Sequence, residues 1–215
     1  WNKEKTKILR HEMSVFLGDG YSITTHYGKT PSPEINTFFD RCFQREQTKE
    51  EWMIGSSSFL LYHLLESLFQ HTQSILNRIG KELNQVEEEI FEDEQDSTLI
   101  RELARHRRNI LTFRRILDPQ RYLISNLTHI RKPFMDQSIA VYIDDIHDYL
   151  NKLWSIINGY RDTVNGLHIT VESLINQRTN KVVGALTAVS VSLLPLTLLA
   201  GIYGMNIPLP FAHNP

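Results

Sequence analysis

Charge stops abruptly along this chain. The 34 residues from Val182 to Pro215 contain no Asp, Glu, Lys or Arg, so all 48 such residues (23 basic plus 25 acidic) lie in the first 181. Within that tail, Val182–Tyr203 reads VVGALTAVSVSLLPLTLLAGIY, 22 residues interrupted only by Ser, Thr, Gly and one Pro. A helix of that length rises roughly 33 Å, enough to cross a hydrocarbon core of about 30 Å. The competing account is a buried core helix, but such helices usually run shorter and keep a polar stripe. A secretory signal would lie at the other end of the chain. The whole-chain average hides this segment, because 41% hydrophobic and 22% charged residues describe an ordinary soluble domain.

Flanking charge sets the expected orientation of the span. Arg178 and Lys181 directly precede it and no Lys or Arg follows, so the positive-inside bias puts the N-terminal part in the cytoplasm and Asn206 outside. Gly184, Thr187, Ser190, Ser192, Thr197 and Gly201 recur along the span. A helix facing only lipid has no use for them, whereas close helix–helix contact or a wetted pore wall does. Pro195 removes one backbone hydrogen bond and predicts a bend or a carbonyl freed toward a pore.

Composition excludes several functions. A formal charge of −2 argues against binding a nucleic acid or other polyanion. The single cysteine, Cys42, rules out an internal disulfide framework and a Cys-rich zinc module. His26, His63, His71, His106, His129, His147 and His168 are scattered without paired-ligand spacing. With no nucleophile–base pair and no phosphate loop either, an enzyme acting on a small organic substrate is the least supported class.

Upstream of the span the expected fold is α+β and predominantly helical. Met13–Leu17 and Tyr21–Thr25 are strand-like runs joined by Gly18-Asp19-Gly20, the signature of a hairpin. Two strands alone are marginal, so residues 1–55 read as the C-terminal part of a cytosolic α/β domain whose other strands lie outside this chain. A helix is expected over Glu34–Glu46, with Pro33 near its first position. Over residues 56–135, Leu61, Leu64, Leu65, Leu68, Ile75, Ile79, Leu83, Val86 and Ile90 repeat at helical spacing. An acidic cluster (Glu87, Glu88, Glu89, Glu92, Asp93, Glu94, Asp96) then precedes Arg101, Arg105, Arg107, Arg108, Arg114 and Arg115. Folding back near Gln95 makes an antiparallel helical hairpin whose acidic and basic arms pair loosely. A nucleic-acid patch or a cation-attracting ring are the functional alternatives for these charges.

Residues 136–181 carry the most regular pattern. Ile139, Ile143, Ile146, Leu150, Leu153, Ile157, Tyr160, Val164, Leu167, Val171 and Leu174 follow alternating steps of four and three. That is a heptad seam, the mark of a long helix packed on neighbours or on copies of itself. No proline interrupts it between Ser138 and Lys181, so a stalk helix is expected to run into the span at 182–203, over roughly 100 Å in all.

Just past the span comes Tyr203-Gly204-Met205-Asn206, at the end of the run from Pro195. A Gly-Met-Asn tripeptide after an N-terminal stalk and one hydrophobic span closely resembles the CorA family of magnesium and divalent-cation channels. The resemblance runs from the Met13 hairpin to the motif and is strongest from Tyr142 to Asn206. It implies a homopentamer in the cell (inner) membrane, with five first helices lining the pore. The extracytoplasmic loop 204–215 would place Gly204, Met205 and Asn206 at its outer mouth. Positional carry-over puts Asn180, Leu186, Leu194, Thr197 and Gly201 on the pore side. The leucines would be constrictions that close by dewetting, although packing against lipid or helices explains them equally. Asp145 matches a stalk carboxylate that helps bind regulatory cytosolic Mg2+ between subunits, with Asp148 a weaker candidate.

Two departures from the family are visible. The chain ends nine residues beyond Asn206, which reads as a fragment lacking the second membrane helix. Ile207–Pro215 also lacks the acidic residue that family loops often carry. Within the resemblance, Mg2+ is the first expectation for the transported and regulatory ion. A ZntB-like Zn2+ transporter and a Co2+ or Ni2+ importer remain open, as does a membrane-anchored coiled-coil scaffold in which the tripeptide match is accidental.

Overall fold

A computed structural model describes residues 8, 10–27, 32–44, 52, 56–92, 97–130, 132, 135, 136 and 138–204. The chain divides into two compact units, residues 1–167 and 168–215. Their elements run β1 (Met13–Gly18), β2 (Tyr21–His26), α1 (Pro33–Gln44), α2 (Ser57–Glu92), α3 (Ser97–Leu127) and α4 (Ile139–Tyr203).

In the first unit, β1 and β2 pair antiparallel with Gly18 opposite Tyr21, leaving Asp19-Gly20 as a two-residue turn. Gly20 has φ +70, a left-handed conformation that glycine adopts without strain. Gly18 is constrained differently, since a Cβ there would run into the Tyr21 ring. Alternation along β1 turns Met13 and Val15 onto a core of Phe38, Cys42 and Leu64. Phe16 and Ile23, opposite each other in the ladder, face away and are exposed. Among the described residues the sheet has two strands.

Helix α1 starts where Pro33 supplies a preset φ and Ser32 caps, its Oγ accepting from Ile35 N–H. Phe38 stacks on Trp52, which stacks in turn on His63 of α2. Ser57, at the start of α2, donates a buried hydrogen bond to the Gly18 carbonyl and ties the hairpin to the bundle.

Helices α2 and α3 pack as the expected helical hairpin, and the fold-back near Gln95 lies outside the described residues. Among the described residues no ion pair joins the acidic and basic arms, and Asp93, Glu94 and Asp96 of the acidic cluster lie outside them. Arg105 pairs instead with Glu102 in its own helix at 3.0 Å. Arg114 and Arg121 lie over the Trp154 ring of α4, at 5.0 and 4.9 Å from its centroid. A planar guanidinium is attracted to an aromatic face, so the Trp154 ring gives these two arginines a partner within the bundle.

The heptad seam packs as its pattern requires. Ile139, Ile143, Ile146, Leu150, Leu153, Ile157, Val164 and Leu167 are buried, and Tyr160 is half-buried. Side chains from α2 meet this face at several levels. Phe59 and Tyr62 make edge contacts with Tyr142, Gln73 accepts from the Tyr149 hydroxyl, and Gly80 leaves room for the Tyr160 ring. Burying each of these aliphatic side chains stabilises the bundle by about 1.5–3 kcal/mol relative to exposure.

In the second unit, α4 continues to Tyr203, and Pro195 lies inside the helix without ending it. Its start, in the first unit, is set by Asp136, whose carboxylate accepts from the backbone N–H and hydroxyl of Ser138. Those hydrogen bonds lower the Asp136 pKa.

Candidate functional site

The span is an α-helix long and apolar enough to cross a membrane, and none of its most apolar stretch is buried. Leu186 and Leu194 are 66% and 64% exposed, and Leu193, Leu196, Leu198 and Leu199 are exposed as well. A water-soluble chain would cover such a face, so the surface calls for lipid or other apolar partners.

At about 100° per residue, Asn180, Leu186, Leu194, Thr197 and Gly201 fall within one arc of roughly 120° of α4. Helix geometry therefore puts these sequence-derived positions on a common face. The Ser and Thr hydroxyls along the span all bond back to their own helix. Thr187 donates to the Val183 carbonyl at 2.7 Å, Ser190 to Leu186 at 2.9 Å and Ser192 to Ala188 at 2.8 Å. Thr197 donates to Leu194 at 2.8 Å. At the end of the helix Gly204 N–H donates to the Ala200 carbonyl at 2.9 Å. A Cβ on Gly204 would stand 3.0 Å from that oxygen, so the closing turn favours glycine. Met205 and Asn206 lie outside the described residues.

Asp145 and Asp148 are both exposed on α4, three residues apart and so on one side of it. Sequence reasoning missed the carboxylate that shares Asp145's surroundings, Glu66 of α2. The two act together on Tyr62, whose hydroxyl pKa is raised by burial first and then by the negative charge of Glu66 and Asp145. Glu66 also stands 3.6 Å from His63 Nδ1 and accepts from Gln70 Nε2. No sequence spacing signals this juxtaposition, because it depends on how α2 and α4 are matched. Among the described residues, no group of three or more His, Cys, Asp or Glu side chains converges as a metal cage.

The fold describes a class, a helical bundle with one exposed helix long and apolar enough to cross a membrane. Known proteins narrow it. A sequence profile of the family described as CorA-like Mg2+ transporter protein matches residues 2–215. The cobalt/magnesium transport protein CorA of Thermotoga maritima is 31% identical over 150 residues, 70% of this chain and 42% of that protein. The putative metal ion transporter YfjQ of Bacillus subtilis is 28% identical over 205 residues, 94% of this chain and 61% of that protein. A zinc transport protein ZntB of Pectobacterium carotovorum also aligns, 23% identical over 147 residues, 68% of this chain and 44% of that protein. Among solved structures, the complete CorA magnesium transporter of Methanocaldococcus jannaschii superposes with a TM-score of 0.76 at 20% identity. That match covers 95% of this chain and 68% of that one, and it shows the shared fold. The chain belongs to the CorA family. It spans 42% and 61% of the lengths of the first two of these relatives.

Proposed function

We propose that this chain supplies the stalk and first membrane helix of a homopentameric divalent-cation channel in the cell (inner) membrane, with its N-terminal bundle in the cytoplasm and Mg2+ as the transported ion. The supporting observation is the charge-free, exposed span that continues a buried stalk seam in a chain of the CorA family. Mg2+ dehydrates reluctantly, so it enters with its water shell. A ring of neutral Asn206 amides, with Gly204 carbonyls near it and Met205 packed behind, hydrogen-bonds that shell without binding the ion too tightly for release. Leu186 and Leu194 form rings that close by dewetting, Asn180 and Thr197 are polar rungs, and Gly201 keeps the lumen wide. In the cytosol, Asp145 with Glu66, and Asp148 beside them, hold a regulatory Mg2+ whose binding favours the closed pentamer. The role is transport, not catalysis.

The test is uptake by the full-length protein in liposomes. Mg2+ influx blocked by cobalt(III) hexaammine is expected, and Asn206→Ala should lower it at least about tenfold. An Asn206→Ala protein conducting as well as the parent removes the motif from the mechanism. A second reading follows from the ZntB relative: Zn2+ flux coupled to a proton gradient, without Mg2+ flux, assigns the chain to zinc transport.

A further inference from the structure

The four Ser and Thr side chains of the span are unevenly placed. At about 100° per residue, Thr187, Ser190 and Thr197 share an arc of roughly 80°, on the side that also carries Leu186, Leu194 and Gly201, while Ser192 points the opposite way. Ser190 stands one turn from Leu186 and one turn from Leu194, midway between them on that face.

The hydrogen bonding gives these hydroxyls a definite polarity. A hydroxyl offers one proton and two acceptor lone pairs. The Ser190 proton is committed to the Leu186 carbonyl, as those of Thr187 and Thr197 are to Val183 and Leu194. Each side chain is exposed, so what it offers outward is acceptor only. Water around a cation turns its oxygens inward and its hydrogens outward, and a surface of acceptors matches that shell. Water around an anion turns one hydrogen inward and presents more lone pairs outward, which such a surface does not match.

Building on the transport reading above, we infer that Ser190 is a specificity-determining residue of the conduction path. It is an acceptor-only rung between the two leucine rings that takes hydrogen bonds from the water shell of a passing divalent cation. Thr187 and Thr197 extend the same ladder on either side. Ser192, with the same local hydrogen bond on the opposite face, takes no part and serves as the internal control.

The experiment compares the full-length parent with Ser190→Ala, Ser190→Thr and Ser192→Ala in liposomes, each eluting as the parent oligomer. The readouts are the initial rate of Mg2+ uptake and the half-inhibitory concentration of cobalt(III) hexaammine, whose fixed ammine ligands also present hydrogens outward. Loss of one hydrogen bond per subunit should slow uptake in Ser190→Ala at least about threefold and raise the inhibitory concentration by a similar factor. Ser190→Thr should restore both, and Ser192→Ala should match the parent. Ser190→Ala and Ser192→Ala behaving alike on both readouts overturns the inference and leaves the transport reading standing. A parent with no divalent uptake removes the transport reading and this inference with it.

Discussion

The single helix α4 is used in two opposite ways. Between Ile139 and Leu167 the apolar residues of the heptad seam fall every three or four positions and are buried, Tyr160 half so, while Val141 and Tyr142 off the seam are exposed. Between Val182 and Tyr203 apolar residues occur all round and are exposed. The first pattern is what water imposes on a helix with one partner face. The second is what lipid allows, where the hydrophobic effect gives no reason to hide a leucine. In the bundle the longer polar side chains reach across helices, as Arg121 does to Asn151 and Tyr149 to Gln73, while Thr72 and Thr112 bond to their own backbone. In the span the Ser and Thr hydroxyls bond to their own backbone.

The largest effect that would sharpen this contrast comes from one leucine in each region. Leu153 is fully buried, so Leu153→Ala should cost about 2–5 kcal/mol. Thermal unfolding of the full-length protein in detergent should then fall by roughly 5–15 °C, at about 2–4 °C per kcal/mol. Leu196→Ala, in the exposed span, should leave the midpoint close to that of the parent. Equal shifts in the two variants would erase the distinction.

A smaller effect separates the regions by pH. His106 of α3 is 1% exposed, and among the described residues neither ring nitrogen has a hydrogen-bond partner. Burial, reinforced by Arg105 and opposed by Glu102, lowers its pKa below the ordinary 6.5. The unfolded chain therefore binds the proton more readily than the folded one. The contribution to stability is complete above about pH 6.5 and is lost as pH falls through the lowered folded value. His106→Leu should flatten this acid limb and add about 1 kcal/mol at neutral pH by removing two unsatisfied nitrogens. Denaturation midpoints from pH 4 to 8 in about half-unit steps decide it. An unchanged acid limb in the variant would mean that another group governs it.

The smallest expected change concerns regulation. Asp145→Asn together with Glu66→Gln should raise the internal Mg2+ concentration needed to close the channel roughly fivefold, with the open-state flux unaltered. Flux at a series of internal free Mg2+ concentrations measures this. An unshifted closing curve would make the two carboxylates an ordinary solvated pair.

Local pattern made much of this fold legible. Pro33 after Ser32, Asp19-Gly20 between alternating strands and the Ile139–Leu174 heptads each encode their structure within a few residues. What was not legible depends on matching distant segments. Glu66 and Asp145 lie 79 positions apart, and only the packing of α2 on α4 brings both to bear on Tyr62. Nor could sequence reveal that Trp154 would be there to receive Arg114 and Arg121. Of the Gly-Met-Asn tripeptide, Gly204 closes the helix, while Met205 and Asn206 lie outside the described residues.

The central claim is that one face of the span borders water in the assembled protein while the others meet lipid or protein. Single cysteines placed from residue 182 to 203 in a full-length protein with Cys42 replaced, then treated in liposomes with a cationic, membrane-impermeant thiol reagent, test it directly. Reactivity should recur once per helical turn, at 183, 186 and 187, 190, 194, 197 and 201, and added Mg2+ should protect these positions. Uniform reactivity along the span, or none at any position, would contradict it.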